Sequence, residues 1–295
     1  MRWQGNRESD NVEDRRGEGG GGGGGMPFGG IHLGVGGIVL VLLGSWLFHV
    51  NPLTVLSLLS GGGSPQTSQV AQDQPAPAPP ANDQMSNFVR TVLASTEDVW
   101  TDIFQQKGQT YTAPKLVLYT SQYPTACGEG QAAMGPFYCP QDHKVYIDLD
   151  FYQMLRDQLG SPGEAAQAYV VAHEVGHHVQ TLLGTTDKVE ALREQESRVQ
   201  ANATSVRVEL QADCYAGVWA NHSQEQKHWF DDNDIPGILN AASHIGDDAL
   251  QKSQGGRVMP ESFTHGTSAE RVNWFKRGFA NGRMADCDTF SASTL

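Results

Sequence analysis

Two histidines four residues apart bracket a carboxylate in the stretch His173-Glu174-Val175-Gly176-His177. On a helix of 3.6 residues per turn, positions i and i+4 share a face, so both imidazoles point the same way. Two neutral ring nitrogens so placed can hold one metal ion, and Glu174, a step further round, can reach a water beside it. Two nitrogen ligands, a base and a water whose pKa the metal lowers to about 7 are what a zinc-dependent hydrolysis needs. The expectation is one catalytic Zn2+ with Glu174 as the base.

A catalytic zinc takes a third protein ligand. A histidine six residues beyond His177 would complete one common pattern, but position 180 is Gln and position 183 is Leu, which excludes it. Glu209 and Asp213, in Glu-Leu-Gln-Ala-Asp, lie four apart beside the apolar stripe of a second helix. Two carboxylates at the edge of a buried face are costly unless paired or bound to metal. Glu209 as third ligand, with Asp213 accepting a hydrogen bond from the far ring nitrogen of His173, accounts for both. The plainer alternative is two surface acids on an amphipathic helix.

These residues need elements to position them. Ser161 can cap the metal helix, Pro162 suits its first position and Glu164 falls where a capping box puts a carboxylate. Ala165, Ala168, Tyr169, Ala172, Val175, Val179 and Leu182 recur at helical spacing, and Gly184 is a natural stop. The second helix runs from about Val199 to Asn221, with Val199, Ala203, Val206, Leu210, Cys214 and Val218 as its stripe. A helix over 85–108 precedes both. Residues 115–120 and 144–149 read as strands, and Cys127 to Cys139 as a loop between them. The second of these strands has an edge that can pair with an extended substrate backbone. Residues 188–198 read as a charged, solvated helix. Pro236 opens a further helix, and Thr267 with Glu270 forms a capping box for the last one. The pattern is an α+β domain over 85–295, mainly helical with a small sheet.

The region ahead of that domain differs in composition. Residues 1–29 are charged and Gly-rich and read as a disordered tail. Residues 31–50 are apolar over one bilayer crossing, so 30–59 reads as a transmembrane signal anchor, and 60–84 as a Pro/Gly/Ser linker. Arg2, Arg7, Arg15 and Arg16 precede the anchor and no Lys or Arg follows until Arg90. That bias puts the N-terminus in the cytoplasm and the domain outside, as a single-pass protein of the inner membrane. Four cysteines allow two disulfides, and an outside domain is where disulfides persist. Cys127 with Cys139 is the favoured pair, leaving Cys214 with Cys287. Cys214 reads equally as a small buried hydrophobe. The net charge of −13 argues against nucleic acid as a partner.

HExxH followed by ExxAD resembles the gluzincin-type metallopeptidases, including the membrane-linked HtpX and CAAX-processing peptidases. His265 and Arg271, in His-Gly-Thr-Ser-Ala-Glu-Arg, resemble the His…Arg element those enzymes carry after the metal ligands. Residue 266 departs from it, being Gly where HtpX-type enzymes usually have Pro. The chain is most similar to the bacterial neutral zinc metallopeptidase family. That likeness runs through Met1-Arg2-Trp3, Cys139-Pro140-Gln141-Asp142, residues 145–149, the helix from His173 to Gln180 and Glu209 to Asp213. The resemblance implies a zincin-like fold, a peptidase acting on a protein or peptide substrate, and His265 as a donor to the oxyanion. Two other functions fit the same ligands: a zinc-stabilised interaction domain without activity, and a zinc amidohydrolase acting on a non-protein amide.

Overall fold

The first regular element is a strand, Val12–Asp14 (β1), within the stretch that composition marks as a tail. Helix Gln84–Gln106 (α1) follows, capped by the Asp83 carboxylate, which accepts from the Ser86 amide. Then come strands Lys115–Tyr119 (β2), Gln122–Thr125 (β3), Gly128–Gln131 (β4), Phe137–Cys139 (β5) and Lys144–Asp148 (β6). The helices are Glu164–Leu182 (α2), Thr185–Arg193 (α3), Arg198–Lys227 (α4), Asp234–His244 (α5), Asp247–Ser253 (α6) and Ser268–Asn281 (α7). This computed structural model describes residues 1–17, 79–80, 82–131, 135–149, 151, 163–253, 257–292 and 295. The expected anchor, most of the linker, and Ser161 with Pro162 lie outside them. Gly163 stands at the N-cap of α2, with Glu164 in its first turn. No helix among the described residues is long and apolar enough to cross a membrane.

The fold is mixed α+β, mostly helical with a small sheet. Strands β1, β2 and β6 run parallel and β5 pairs antiparallel with β6, in the order β1-β2-β6-β5. In β2 every residue after Lys115 is buried, as a strand covered on both faces requires. β3 and β4 form a separate hairpin, and β4 and β5 both fall within the Cys127 to Cys139 stretch that the sequence reads as loop. Disulfide Cys127–Cys139 closes the segment carrying β4 and β5, and Cys214–Cys287 ties the C-terminal end to α4.

Residues 1–17 correct the expected disordered tail. Trp3 is buried and meets Phe88 edge-on at 5.4 Å. The Leu116 amide donates to the Asn11 carbonyl at 2.8 Å, and Arg15 N–H to the Leu118 carbonyl at 2.8 Å, extending the β1–β2 ladder. Glu97, buried on α1, accepts from Ser9 Oγ at 2.5 Å, Asn11 Nδ2 at 2.9 Å and Arg7 at 2.9 Å. The polar residues that look solvated in isolation are partners for carboxylates of the folded domain.

The two long helices meet where side chains are smallest. α4 is buried on every side from Leu210 to Ala220, so it is the central element. Its expected stripe begins later than read: Val199 is exposed, and Val206 is the first of the set to be buried. A methyl at Gly176 of α2 would fall 3.0 Å from the Ala212 carbonyl oxygen of α4. A methyl at Gly278 of α7 would fall 1.9 Å from the Cys214 carbonyl oxygen. Both contacts are with backbone, which cannot turn aside. Gly278→Ala is therefore expected to separate α7 from α4 and cost about 3 kcal/mol, at the upper end of overpacking penalties. Thermal or urea unfolding of the purified variant measures this.

Candidate metal centre

α2 and α4 bring together the three residues expected to hold metal. His173 Nε2 lies 3.1 Å from Glu209 Oε2, and His177 Nε2 lies 3.5 Å from Glu209 Oε1. One ligand atom from each lies within 4.8 Å of the others. Ligands about 2.05 Å from a tetrahedral ion stand about 3.3 Å apart, so the observed spacing fits Zn2+. Two imidazoles and a carboxylate are also the donor set of a catalytic rather than a structural site.

Both histidine ligands are held from behind. His173 Nδ1–H donates to Asp213 Oδ1 at 2.9 Å, as the sequence led us to expect. Asp213 is fully buried and takes two charge-assisted bonds from Arg271, Nε to Oδ2 at 2.8 Å and Nη2 to Oδ1 at 3.0 Å. The Tyr169 hydroxyl donates to the same Oδ1 and accepts from Arg271 Nη2 at 3.2 Å. His177 Nδ1–H donates to Gln180 Oε1 at 2.8 Å. Gln180 in turn donates to Gln211 at 3.1 Å, and Gln211 to the Cys287 carbonyl at 3.0 Å. These partners orient both rings so that their Nε2 atoms face Glu209.

Arg271, singled out by likeness as part of a His…Arg element, thus acts on Asp213. Tyr169 and Gln180 were not singled out. Tyr169 is four before His173 and Gln180 three after His177, so helical spacing alone places both beside the ligands.

The electrostatics favour a cation. Burial alone would lower the His173 pKa, but the charges and hydrogen bonds of Asp213 and Glu209 outweigh it and raise it to about 10. Asp213, which burial would raise, is brought down to about 2 by Arg271 and His173. Glu174 is buried and burial pushes its carboxyl up, against the pull of His173 and His177. A carboxyl so placed accepts a proton more readily than one in water. His178, next to His177, is buried: its Nε2–H donates to the Thr112 carbonyl at 2.6 Å, and burial lowers its pKa to about 4.

His173, Glu174, His177, Glu209, Arg271 and His265 line one cavity of about 1600 Å³. Phe137 and Tyr138 of β5 form part of its opposite wall. Here the expected substrate strand needs correction. β6 lies between β2 and β5 with both edges hydrogen-bonded, so it has no edge to offer; the outer strands of the sheet are β1 and β5, and it is β5 that contributes to the cavity wall.

His265 reaches the cavity from a loop organised by Asp247. One Asp247 oxygen accepts from the backbone amides of Thr264, His265 and Gly266 at 2.7, 2.7 and 3.1 Å. The other stands 3.2 Å from His265 Nδ1. Gly266 has φ +89°, which a proline ring, fixed near −65°, cannot adopt. The departure from the HtpX-type pattern is thus a different turn. The Asp247 bond raises the His265 pKa, burial opposes it, and the charge of Glu209 adds to the rise. In Asp247→Asn the imidazolium loses its anionic partner, so the ring should titrate lower, nearer the ordinary value of about 6.5. NMR titration of the ring protons measures this. Any alkaline limb of activity set by His265 should move to lower pH in the same variant.

Comparison with known proteins places this geometry. The family described as putative neutral zinc metallopeptidases matches residues 1–290. The uncharacterized protein YpfJ of Escherichia coli (strain K12) is 49% identical over 296 residues, covering 99% of this chain and 100% of its own length. The uncharacterized protein Rv2575 of Mycobacterium tuberculosis is 41% identical over 220 residues, 71% of this chain and 73% of its own. No solved structure matches. With two imidazoles, a carboxylate and a buried base converging on one cavity, the chain belongs to the putative neutral zinc metallopeptidase family.

Proposed function

We propose that this protein is a zinc-dependent endopeptidase that hydrolyses peptide bonds of extracytoplasmic proteins. His173, His177 and Glu209 hold the ion, and a bound Zn2+ supplies Lewis acidity, lowering the pKa of water to about 7 and polarising a carbonyl. The observation that carries the reading is Glu174: a buried carboxylate, beside the three ligands, lining a cavity open to solvent. Glu174 takes the proton of the attacking water and returns it to the leaving amine. A zinc held only for structure needs no such group and is usually closed by four protein ligands. The cluster found among the described residues has three.

Other residues position the substrate. The free edge of β5 offers amides and carbonyls to an extended backbone, and Phe137 with Tyr138 offers apolar contact to its side chains. His265, held by Asp247, stands in the same cavity as a donor to a developing oxyanion. The zincin-like fold is the frame this reading implies. Two disulfides support a location on the oxidising side of the membrane.

Glu174→Gln keeps the shape of the side chain and removes its basicity. It should retain one zinc per chain by elemental analysis while losing about 10²–10⁴-fold in cleavage rate, the usual contribution of a general base. His173→Ala should lose the zinc as well. Comparing proteins shed or trimmed outside the membrane in wild-type and Glu174→Gln cells identifies the substrate. Full activity in Glu174→Gln would overturn the mechanism.

A further inference from the structure

The support behind His177 ends outside both metal helices. The ring Nδ1–H donates to Gln180, Gln180 donates to Gln211, and Gln211 donates to the main-chain carbonyl of Cys287. Cys287 closes a short 3-10 helix, Met284–Cys287, and is bonded to Cys214, the residue after Asp213. A metal ligand on α2 is thus tied, through two amides, to a segment that a disulfide fixes on α4.

The direction of this relay is set from its far end. A carbonyl oxygen only accepts, so Cys287 faces the amide nitrogen of Gln211, and the Gln211 oxygen then faces Gln180. Gln180 Nε2 also donates to the Val208 carbonyl at 2.8 Å, which calls for the same orientation. The Gln180 oxygen is left for His177, whose Nδ1 must carry the proton. The lone pair then falls on Nε2, the atom that faces Glu209. Gln180 is 1% exposed and Gln211 6%, so both amides depend on protein partners.

The same segment is fastened to the stretch of α4 that carries Glu209. The buried Thr289 hydroxyl donates to the Arg207 carbonyl at 2.7 Å. Arg207 Nη1 donates to the carbonyls of Thr289 and, at 3.2 Å, of Ala292. Arg207, Gln211 and Cys214 follow the spacing of one helix face, and Glu209 lies within the same two turns.

We propose that Gln211 is a positioning residue of the metal centre, and that the Cys214–Cys287 bridge, by fixing the carbonyl at the end of the relay, is required for tight zinc binding. This rests on the zinc reading above and adds a condition to it: the site matures when the bridge closes. Closure removes two electrons and two protons from the two thiols, and an exchanging disulfide takes them up as its own dithiol. The other bridge, Cys127–Cys139, takes no part in the relay.

Zinc affinity of the full-length chain, measured by competition with a chromophoric chelator, tests this. Gln211→Leu keeps the bridge and breaks the relay, and should bind zinc about 10-fold more weakly than wild type, the lower end of what loss of such a partner costs. Cys214→Ala/Cys287→Ala should weaken binding at least as much, and Cys127→Ala/Cys139→Ala should bind as wild type does. In the zinc-loaded chain the His177 Nδ1 proton, followed by NMR, should exchange faster in Gln211→Leu, while that of His173, held by Asp213, keeps its wild-type rate. Wild-type affinity in Gln211→Leu would overturn the proposal. Equal weakening by both cysteine pairs would also overturn it, since that is general loosening of the fold. Should the Cys214→Ala/Cys287→Ala chain not fold, wild type reduced by a dithiol takes its place in the comparison. A wild type that binds no zinc refutes the metal reading itself, whereas one that binds zinc no tighter than Gln211→Leu refutes only the relay.

Discussion

The approach of α2 to α4 at Gly176 and Ala212 is the constraint on which the metal centre depends. His173 and His177 come as a pair from one helix, but Glu209 belongs to another, and imidazole and carboxylate meet only if the two backbones nearly touch. Gly176 lies inside the histidine pair and Ala212 inside the Glu209–Asp213 pair, so the smallest residues sit level with the ligands. One more carbon at either position would push the helices apart by about the width of a methyl and carry Glu209 outward, and ligand distances tolerate only about 0.2 Å. The next turn of α4 repeats the device against α7, with Gly217 against the backbone of Phe275 and Phe279 and Gly278 against that of Cys214 and Val218. That second contact delivers Arg271 to Asp213. One stretch of about ten residues thus carries a ligand, its neighbour's support, both close packings and the Cys214 bridge.

The charges at this crossing make sense together and not singly. Glu174, Glu209 and Asp213 bring three negative charges into a largely buried region, and Arg271 returns one positive. The remaining two negative charges match a divalent cation. Buried charge left without a partner costs several kcal/mol, and without an ion the nearest remedy is a proton. The upward shift at His173 is that remedy: its ring binds a proton far more tightly than an exposed histidine does. The same field that favours a proton there favours Zn2+, so proton and metal compete, and acid should release the metal.

What the sequence disclosed follows from the range of the interactions. HExxH, ExxAD and the capping box of Thr267 and Glu270 are contained within single helical turns, and each is found in place. Helical periodicity also located α1, α2, α5 and α7 to within a few residues. Disulfide pairing was half legible, because Cys127 and Cys139 are close in sequence whereas Cys214 and Cys287 lie 73 apart. The head was misread because β1 is three residues long and has one apolar side chain; its evidence lies about 100 residues away, in β2 and Glu97. The substrate edge was misassigned for a related reason. Alternation shows that 144–148 is a strand but not which strands flank it, and β5 is only three residues long at the end of a Gly-containing stretch that reads as loop.

The long separation between β1 and β2 has its own energetics. Closing a loop of about 100 residues costs about 4 kcal/mol of chain entropy, but each doubling adds only about 0.6 kcal/mol. Once the sheet tolerates a long connection, a longer one is nearly as acceptable, so an apolar insert between its first two strands disturbs the fold little. The closure is offset by several bonds of modest worth each: the ladder to β2, the three donors on Glu97 and the burial of Trp3. In exchange, β1 covers the edge of β2 that would otherwise stand open to pairing with another chain. The outer strands of this sheet are β1, three residues long and formed by the protein's own head, and β5, which lines the cavity of the metal ligands. An edge strand invites an extended polypeptide, and β5 places one such edge on the side where a peptide bond could be cut.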